Sequence, residues 1–318
     1  MLQKKGLIIA PLLLFFLLVA GCTQSQQGTP SQDQSDSNNK LNIVTTTTMI
    51  TDLVRVVGGD VVEVQGLMGA GIDPHLYKAS AGDVNRMRQA DLIIYNGLHL
   101  EGKMADIFEE FEGTQVITVA ITDAVDESIL LPAEDEGNLY DPHIWFDVEL
   151  WQKAAIYVRD ALIEADEKNR AIYEANTEEY LQELEKLHAY VKEQVANIPK
   201  DQRVLVTAHD AFGYFGRAYD FEVLGLQGIS TTTEAGIADM QALADLIAER
   251  KIPAIYIETS VPPRSIEALQ KAVQAKGFYV AIGGELFSDA MGDSGTPEGT
   301  YLGMVRHNVD TIVEGLSK

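Results

Sequence analysis

The chain has 318 residues, a formal net charge of −24 and one cysteine, Cys22. The charge excludes nucleic acid as a partner, because no basic stripe exists to neutralise phosphates. The lone cysteine excludes an intrachain disulfide; an acidic surface draws cations but equally keeps a secreted chain soluble, and charge does not separate the two.

The N-terminal stretch MLQKKGLIIAPLLLFFLLVAGC places Lys4 and Lys5 before an apolar run from Gly6 to Ala20. It is too short and one-sided to span a bilayer and reads as a secretory signal over residues 1–21. Val19, Ala20 and Gly21 before Cys22 resemble a bacterial lipobox, which makes Cys22 the expected lipid acceptor and the bacterial cell membrane, extracytoplasmic side, the expected location. Residues 22–40 (TQSQQGTPSQDQSDSNN after the cysteine) carry almost no apolar side chain and form a flexible tether. From Leu41 to Lys318 the composition is globular and long enough for two domains, with no further run of membrane-spanning length.

LNIVTTTT and VVEVQGLM read as β-branched strands, with the amphipathic MITDLVRVVGG between them ending at a glycine pair. SAGDVNRMRQA follows as a helix capped by Ser80, then DLIIYNG as a strand. Residues 167–198 place Ile172, Tyr173, Tyr180, Leu184, Leu187, Val191, Val195 and Ile198 mostly three or four apart, with no glycine or proline before Pro199. That spacing predicts one long helix. The plan then repeats: QRVLVTAHDAFGYFGRAYDFEVLGLQG is strand, helix, strand, and ADMQALADLIAERKIPAIYIETS is helix, strand. FYVAIGG reads as a further strand before a long glycine-rich loop. The fold class is α/β: two similar lobes with largely parallel sheets, residues 41–166 and 199–318, joined by one long backbone helix over 167–198, with a cleft between the lobes. A stiff helical connection predicts small closing motions.

Two of the six histidines, His75 and His143, follow Asp-Pro. Proline fixes its own φ and biases the residue before it, so each loop is stiffened; the aspartate can brace backbone or imidazole. Taken singly, Asp-Pro also opens helices and turns. His209 lies just past a strand, where parallel sheets place ligands. Three imidazoles need a carboxylate to complete a divalent site, and the loop GGELFSDAMGDSGTPEGTYLGM offers Glu285, Asp289, Asp293 and Glu298, among which spacing does not choose. His188, within the long helix, and His307, in the last one, read as ordinary; His99, after a strand end, reads as close to the cleft but not as a ligand.

These pieces together resemble the TroA-like metal-binding receptor lipoproteins of ABC-type manganese and zinc importers. GIDPHLYKASAGDV, DLIIYNGLHLE, DPHIWFDV, TAHDAFGYF, GLQGISTTTEAG, YIETS and GELFSDAMG…EGTYLGM carry the resemblance, which covers nearly everything after the tether. It implies one divalent ion, manganese(II) or zinc(II), held as transported ligand between the lobes by His75, His143, His209 and Asp289. It also implies a membrane permease with a cytoplasmic ATPase as partners, a monomer anchored through acylated Cys22, and no enzymatic activity. The histidine-rich loop of many dedicated zinc receptors is missing: PAEDEGNLY stands before His143, which weakens a zinc-only assignment. Two other readings stand beside the receptor: a secreted zinc hydrolase, against which no H-E-x-x-H helix is present, and a surface adhesin with a structural metal.

Overall fold

Alternating β-branched and amphipathic segments produce, in the computed structural model, two α/β lobes on a helical spine. Residues 40–111, 113–133 and 140–317 are described; the signal, Cys22 and the tether as far as residue 39 lie outside them. The first lobe runs β1 (Leu41–Thr45), α1 (Thr48–Gly58), β2 (Val62–Gly66), α2 (Ala81–Arg88), β3 (Leu92–Tyr95), α3 (Ala105–Glu109) and β4 (Ile117–Ala120). Its strands form one parallel sheet in the order β2-β1-β3-β4, with Ile43 opposite Val64 on one side and Leu92 on the other. Met49, Ile50, Leu53, Val54 and Val57 recur at helical spacing and bury one face of α1. Ser80 caps α2 as expected: its hydroxyl accepts from the Asp83 amide, and the Asp83 carboxylate accepts from the Ser80 amide.

Helix α4 (Val148–Ala165) leads into α5 (Arg170–Val195), 26 residues and therefore about 39 Å long. Tyr173, Thr177, Tyr180, Leu184, Leu187, Val191 and Val195 make its buried seam. Thr177 fills the gap in the apolar spacing by returning its hydroxyl to the Tyr173 carbonyl at 2.7 Å. Ile172, expected inside, is 38% exposed, because it sits one residue before Tyr173 and so about 100° off the seam. The seam packs on α1 and α4 and, from the other lobe, on α9.

The second lobe comprises β5 (Val204–His209), α6 (Gly213–Tyr219), β6 (Glu222–Gln227), α7 (Ile237–Arg250), β7 (Ala254–Glu258), α8 (Arg264–Ala275), β8 (Ala281–Leu286) and α9 (Tyr301–Leu316). β5 pairs with β6 and β7 with β8, both parallel, and β5 lies against β7. Strands thus sit in the order β6-β5-β7-β8, the counterpart of β2-β1-β3-β4. The two pairs form separate ladders. At the end of β5 the Glu258 carboxylate accepts the amides of Ala208 (2.7 Å) and His209 (3.0 Å), taking the place of a strand partner. The strand read in FYVAIGG begins only at Ala281 and continues through Leu286, so the acid-bearing loop starts later than the sequence suggests.

One buried apolar cluster runs from α1 and α4 through α5 to α9 and Tyr256, joining both lobes to the spine. Separating them widely would wet that surface, at about 25 cal/mol for each Å² of apolar area exposed. That shared packing opposes a wide opening of the lobes. Among the described residues no helix is long and apolar enough to cross a membrane.

Candidate metal centre

His75 arrives on the loop after β2, and His143 on the loop before a short 3-10 turn that leads into α4. In both Asp-Pro-His sequences the aspartate Oδ1 accepts the histidine backbone N–H two residues on, Asp73 from His75 at 2.8 Å and Asp141 from His143 at 2.9 Å. This Asx-type closure, on a proline-stiffened backbone, aims each side chain inward. His209 is the last residue of β5 rather than just past it; α6 begins four residues later. Gly225 on β6 is what lets the chain turn there: a Cβ on it would stand 2.5 Å from the Asp210 amide nitrogen. Asp289 lies three residues beyond β8.

One ligand atom from each of His75, His143, His209 and Asp289 lies within 4.8 Å of every other. The Nε2 atoms of His75 and His143 are 3.4 Å apart. Asp289 Oδ2 stands 3.3 Å from His209 Nε2 and 3.7 Å from His75 Nε2, and Oδ1 stands 3.5 Å from His143 Nε2. All four residues are buried, the most exposed, His75, at 2%. His209 Nε2 and both Asp289 oxygens have no hydrogen-bond partner. Buried acceptors left in this state cost about 1–3 kcal/mol each, more when charged, unless something else binds them.

Two imidazoles are braced from behind. His143 Nδ1 is 2.7 Å from Asp141 Oδ1 and His209 Nδ1 is 2.6 Å from Glu258 Oε2. A carboxylate only accepts, so Nδ1 carries the proton in both rings and Nε2 is the end turned to the cluster. His75 lacks this second brace; its aspartate is engaged elsewhere. The electrostatics follow the bracing. Burial alone would lower His143, but the charge and hydrogen bond of Asp141, with Asp289, carry it up to about 9. Burial opposes His209 likewise, and the charges of Glu258 and Asp289 raise it well above the usual histidine range. Burial lowers His75 to about 3, with the neighbouring imidazoles adding to the effect and Asp289 only partly opposing it. Asp289 is held well below the usual carboxylate range, against its burial, chiefly by His209 and His143.

Of the other acids the sequence offered, Glu285 lies on β8 and is exposed, Asp293 is exposed and Glu298 half-buried, and none joins the cluster. His99 is exposed in a left-handed turn (φ 61°), His188 meets the Tyr219 hydroxyl at 3.1 Å, and His307 donates to the Glu285 carbonyl at 3.0 Å. Sequence reasoning did not find the role of Glu258. Its signal was a lone acid closing an otherwise apolar strand, AIYIE, at a carboxyl end. It also missed Trp145, whose indole donates to the Ser288 carbonyl at 3.1 Å and so ties the first lobe to the loop bearing Asp289.

Inward donors from both lobes, two of them on loops that follow β2 and β8 and one closing β5, make a two-lobed binding cleft of ionic size. The chain belongs to the family described as zinc-uptake complex component A, periplasmic, whose model matches residues 43–315. It is 51% identical over 282 residues to the zinc-binding protein TroA of Treponema pallidum, covering 89% of this chain and 91% of the relative. It is 44% identical over 314 residues to the manganese-binding lipoprotein MntA of Bacillus subtilis, covering 99% and 100%. The solved structure of the periplasmic zinc-binding protein TroA from Treponema pallidum superposes with a TM-score of 0.85 at 52% identity, over 88% of this chain and all of that one.

Proposed function

We infer that this protein is a receptor that captures a divalent transition-metal ion, manganese(II) or zinc(II), outside the cytoplasm and hands it to the permease of an ABC importer. The observation that carries the reading is the buried convergence of His75, His143, His209 and Asp289, with one charged and three imidazole donors facing one another. A tetrahedral ion with bonds of about 2.0–2.1 Å has ligand–ligand edges of about 3.3 Å. The His75–His143 separation and those from the Asp289 oxygens to the three histidines, 3.3–3.7 Å, stand at that edge or just above it, and every pair lies within 4.8 Å. Both Asp289 oxygens face histidine nitrogens, so a two-oxygen grip suited to manganese(II) is also within reach. The relatives divide the same way, one named for zinc and one for manganese.

Capture and release need no bond-making chemistry, only a site whose affinity falls when the lobes part. A hydrolytic centre needs an open position beside the ion, and these donors are buried on all sides. Acylated Cys22 would hold a monomeric receptor at the membrane beside the permease and its ATPase, raising their effective concentration. Elemental analysis of protein purified without added metal, followed by competitive titration of manganese(II) and zinc(II), tests the reading. One ion per chain is expected; a chain that takes up neither ion overturns it.

A further inference from the structure

The two Asp-Pro-His loops share a backbone and differ in what else the aspartate holds. Asp141 Oδ1 accepts both the His143 backbone N–H and its imidazole Nδ1–H. Asp73 instead accepts, through Oδ2 at 2.6 Å, the hydroxyl of Thr231. Thr231 belongs to the other lobe, on the loop after β6, and is itself buried. One carboxylate therefore holds the His75 backbone with Oδ1 and the opposite lobe with Oδ2. Other ties between the lobes lie away from the His75 loop: Arg217 donates to the Ile129 carbonyl, the Met291 amide to the Thr48 hydroxyl and the Tyr301 amide to Asp52. Trp145 donates to the Ser288 carbonyl, the Tyr301 hydroxyl donates to the Trp145 carbonyl at 2.7 Å, and Trp145 and Tyr301 belong to the apolar cluster packed on the spine. Asp73 is only half-buried, and the residues on either side of its loop, Ile72 and Leu76, are exposed.

We propose that the Asp73–Thr231 hydrogen bond is the latch of the cleft: it makes closure of the lobes and placement of His75 a single event, and its rupture sets the rate of metal release. The inference rests on the receptor reading above. His75 is the imidazole with no carboxylate brace on its ring, so its position depends on its backbone, and that backbone is held by an aspartate whose other oxygen crosses the cleft. Parting the lobes at this edge pulls on Asp73 first. His143 and His209, each braced within its own lobe, stay in place. Thr231 is a positioning residue and touches none of the four donors.

The test is the dissociation rate of zinc(II), and separately of manganese(II), from the full chain, followed by stopped flow into excess metallochromic chelator. Thr231→Val removes the hydroxyl at nearly constant volume and should raise the rate about tenfold, equivalent to about 1.4 kcal/mol. The association rate, set by the open form, and the apo melting temperature should stay unchanged. Thr231→Ser, which keeps the hydroxyl, should restore slow release. A merely structural threonine would lower the apo melting temperature and leave the dissociation rate at the wild-type value. That result overturns the latch, as does a Ser variant as fast as Val. Failure of the wild-type chain to bind either ion would instead overturn the receptor reading, so the two failures are distinguishable.

Discussion

Replacing Glu258 by glutamine changes one oxygen to an amide and leaves the volume almost untouched, yet it should cost metal affinity at a distance of one residue from the ion. Glu258 accepts three hydrogen bonds, from the amides of Ala208 and His209 through Oε1 and from His209 Nδ1 through Oε2. A glutamine carbonyl can keep the two amides, but its NH₂ then faces His209 Nδ1. The imidazole must either accept that hydrogen bond, moving its proton to Nε2, or break it. The first outcome protonates the nitrogen turned toward Asp289, 3.3 Å away, and the second removes the contact that fixes the ring's orientation. A hydrogen bond to a charged group is worth about 1.5–3 kcal/mol, and loss of such outer partners lowers metal affinity about 10–100-fold, or about 1.4–2.8 kcal/mol. Isothermal titration of zinc(II) into the apo protein, in competition with a chelator of known affinity, reads the change. Glu258→Gln binding zinc(II) within twofold of wild type would refute the bracing argument. Glu258→Ala should do more: it strands two buried amides and lower the apo melting temperature as well, whereas the Gln variant should not.

His143→Ala removes a buried donor with its Asp141 brace and should reduce zinc(II) affinity more than about a hundredfold, with one-to-one stoichiometry lost in the same titration; unchanged affinity would remove His143 from the site. Metal affinity should rise with pH across the neutral range. The sign follows from His143, which is raised to about 9 and so holds a proton at pH 7 that an incoming ion must displace. Titrations in buffers of different ionisation enthalpy should reveal proton release at pH 7, and none at all would contradict it. Chelation should leave a folded protein, since the apolar cluster joining both lobes owes nothing to the ion. Metal at a hundred times its Kd should add about 2.7 kcal/mol, a rise of several degrees in melting temperature by calorimetry; loss of helical circular dichroism on chelation would favour a structural metal instead.

The order of strands and helices was legible because each element carries its own periodicity and punctuation. Ser80 and Asp83 announce the start of α2, and the run from Tyr173 to Val195 without glycine or proline announces α5. His75 and His143 stood out through their shared prolines, a local signal. Asp289 did not stand out from Glu285, Asp293 and Glu298 by spacing; it was singled out only by resemblance, and geometry separates it as the one acid carried into the cleft. The partners of Glu258 and Thr231 were illegible for a common reason. They lie 49 and 158 residues away, and no local pattern encodes a hydrogen bond made by tertiary placement. The start of β8 was misplaced because AIGGEL, with two glycines inside it, lacks the β-branched run that marks its counterparts.

The central claim is that four side chains, spread over more than two hundred residues of sequence, hold one ion. Anomalous diffraction from crystals of the zinc-loaded protein, recorded on both sides of the zinc edge, addresses it directly. We expect a single peak within about 2.0–2.2 Å of His75, His143 and His209 Nε2 and of an Asp289 oxygen. A stoichiometrically loaded crystal whose peak lies elsewhere, with these four residues still facing one another unliganded, would contradict the account.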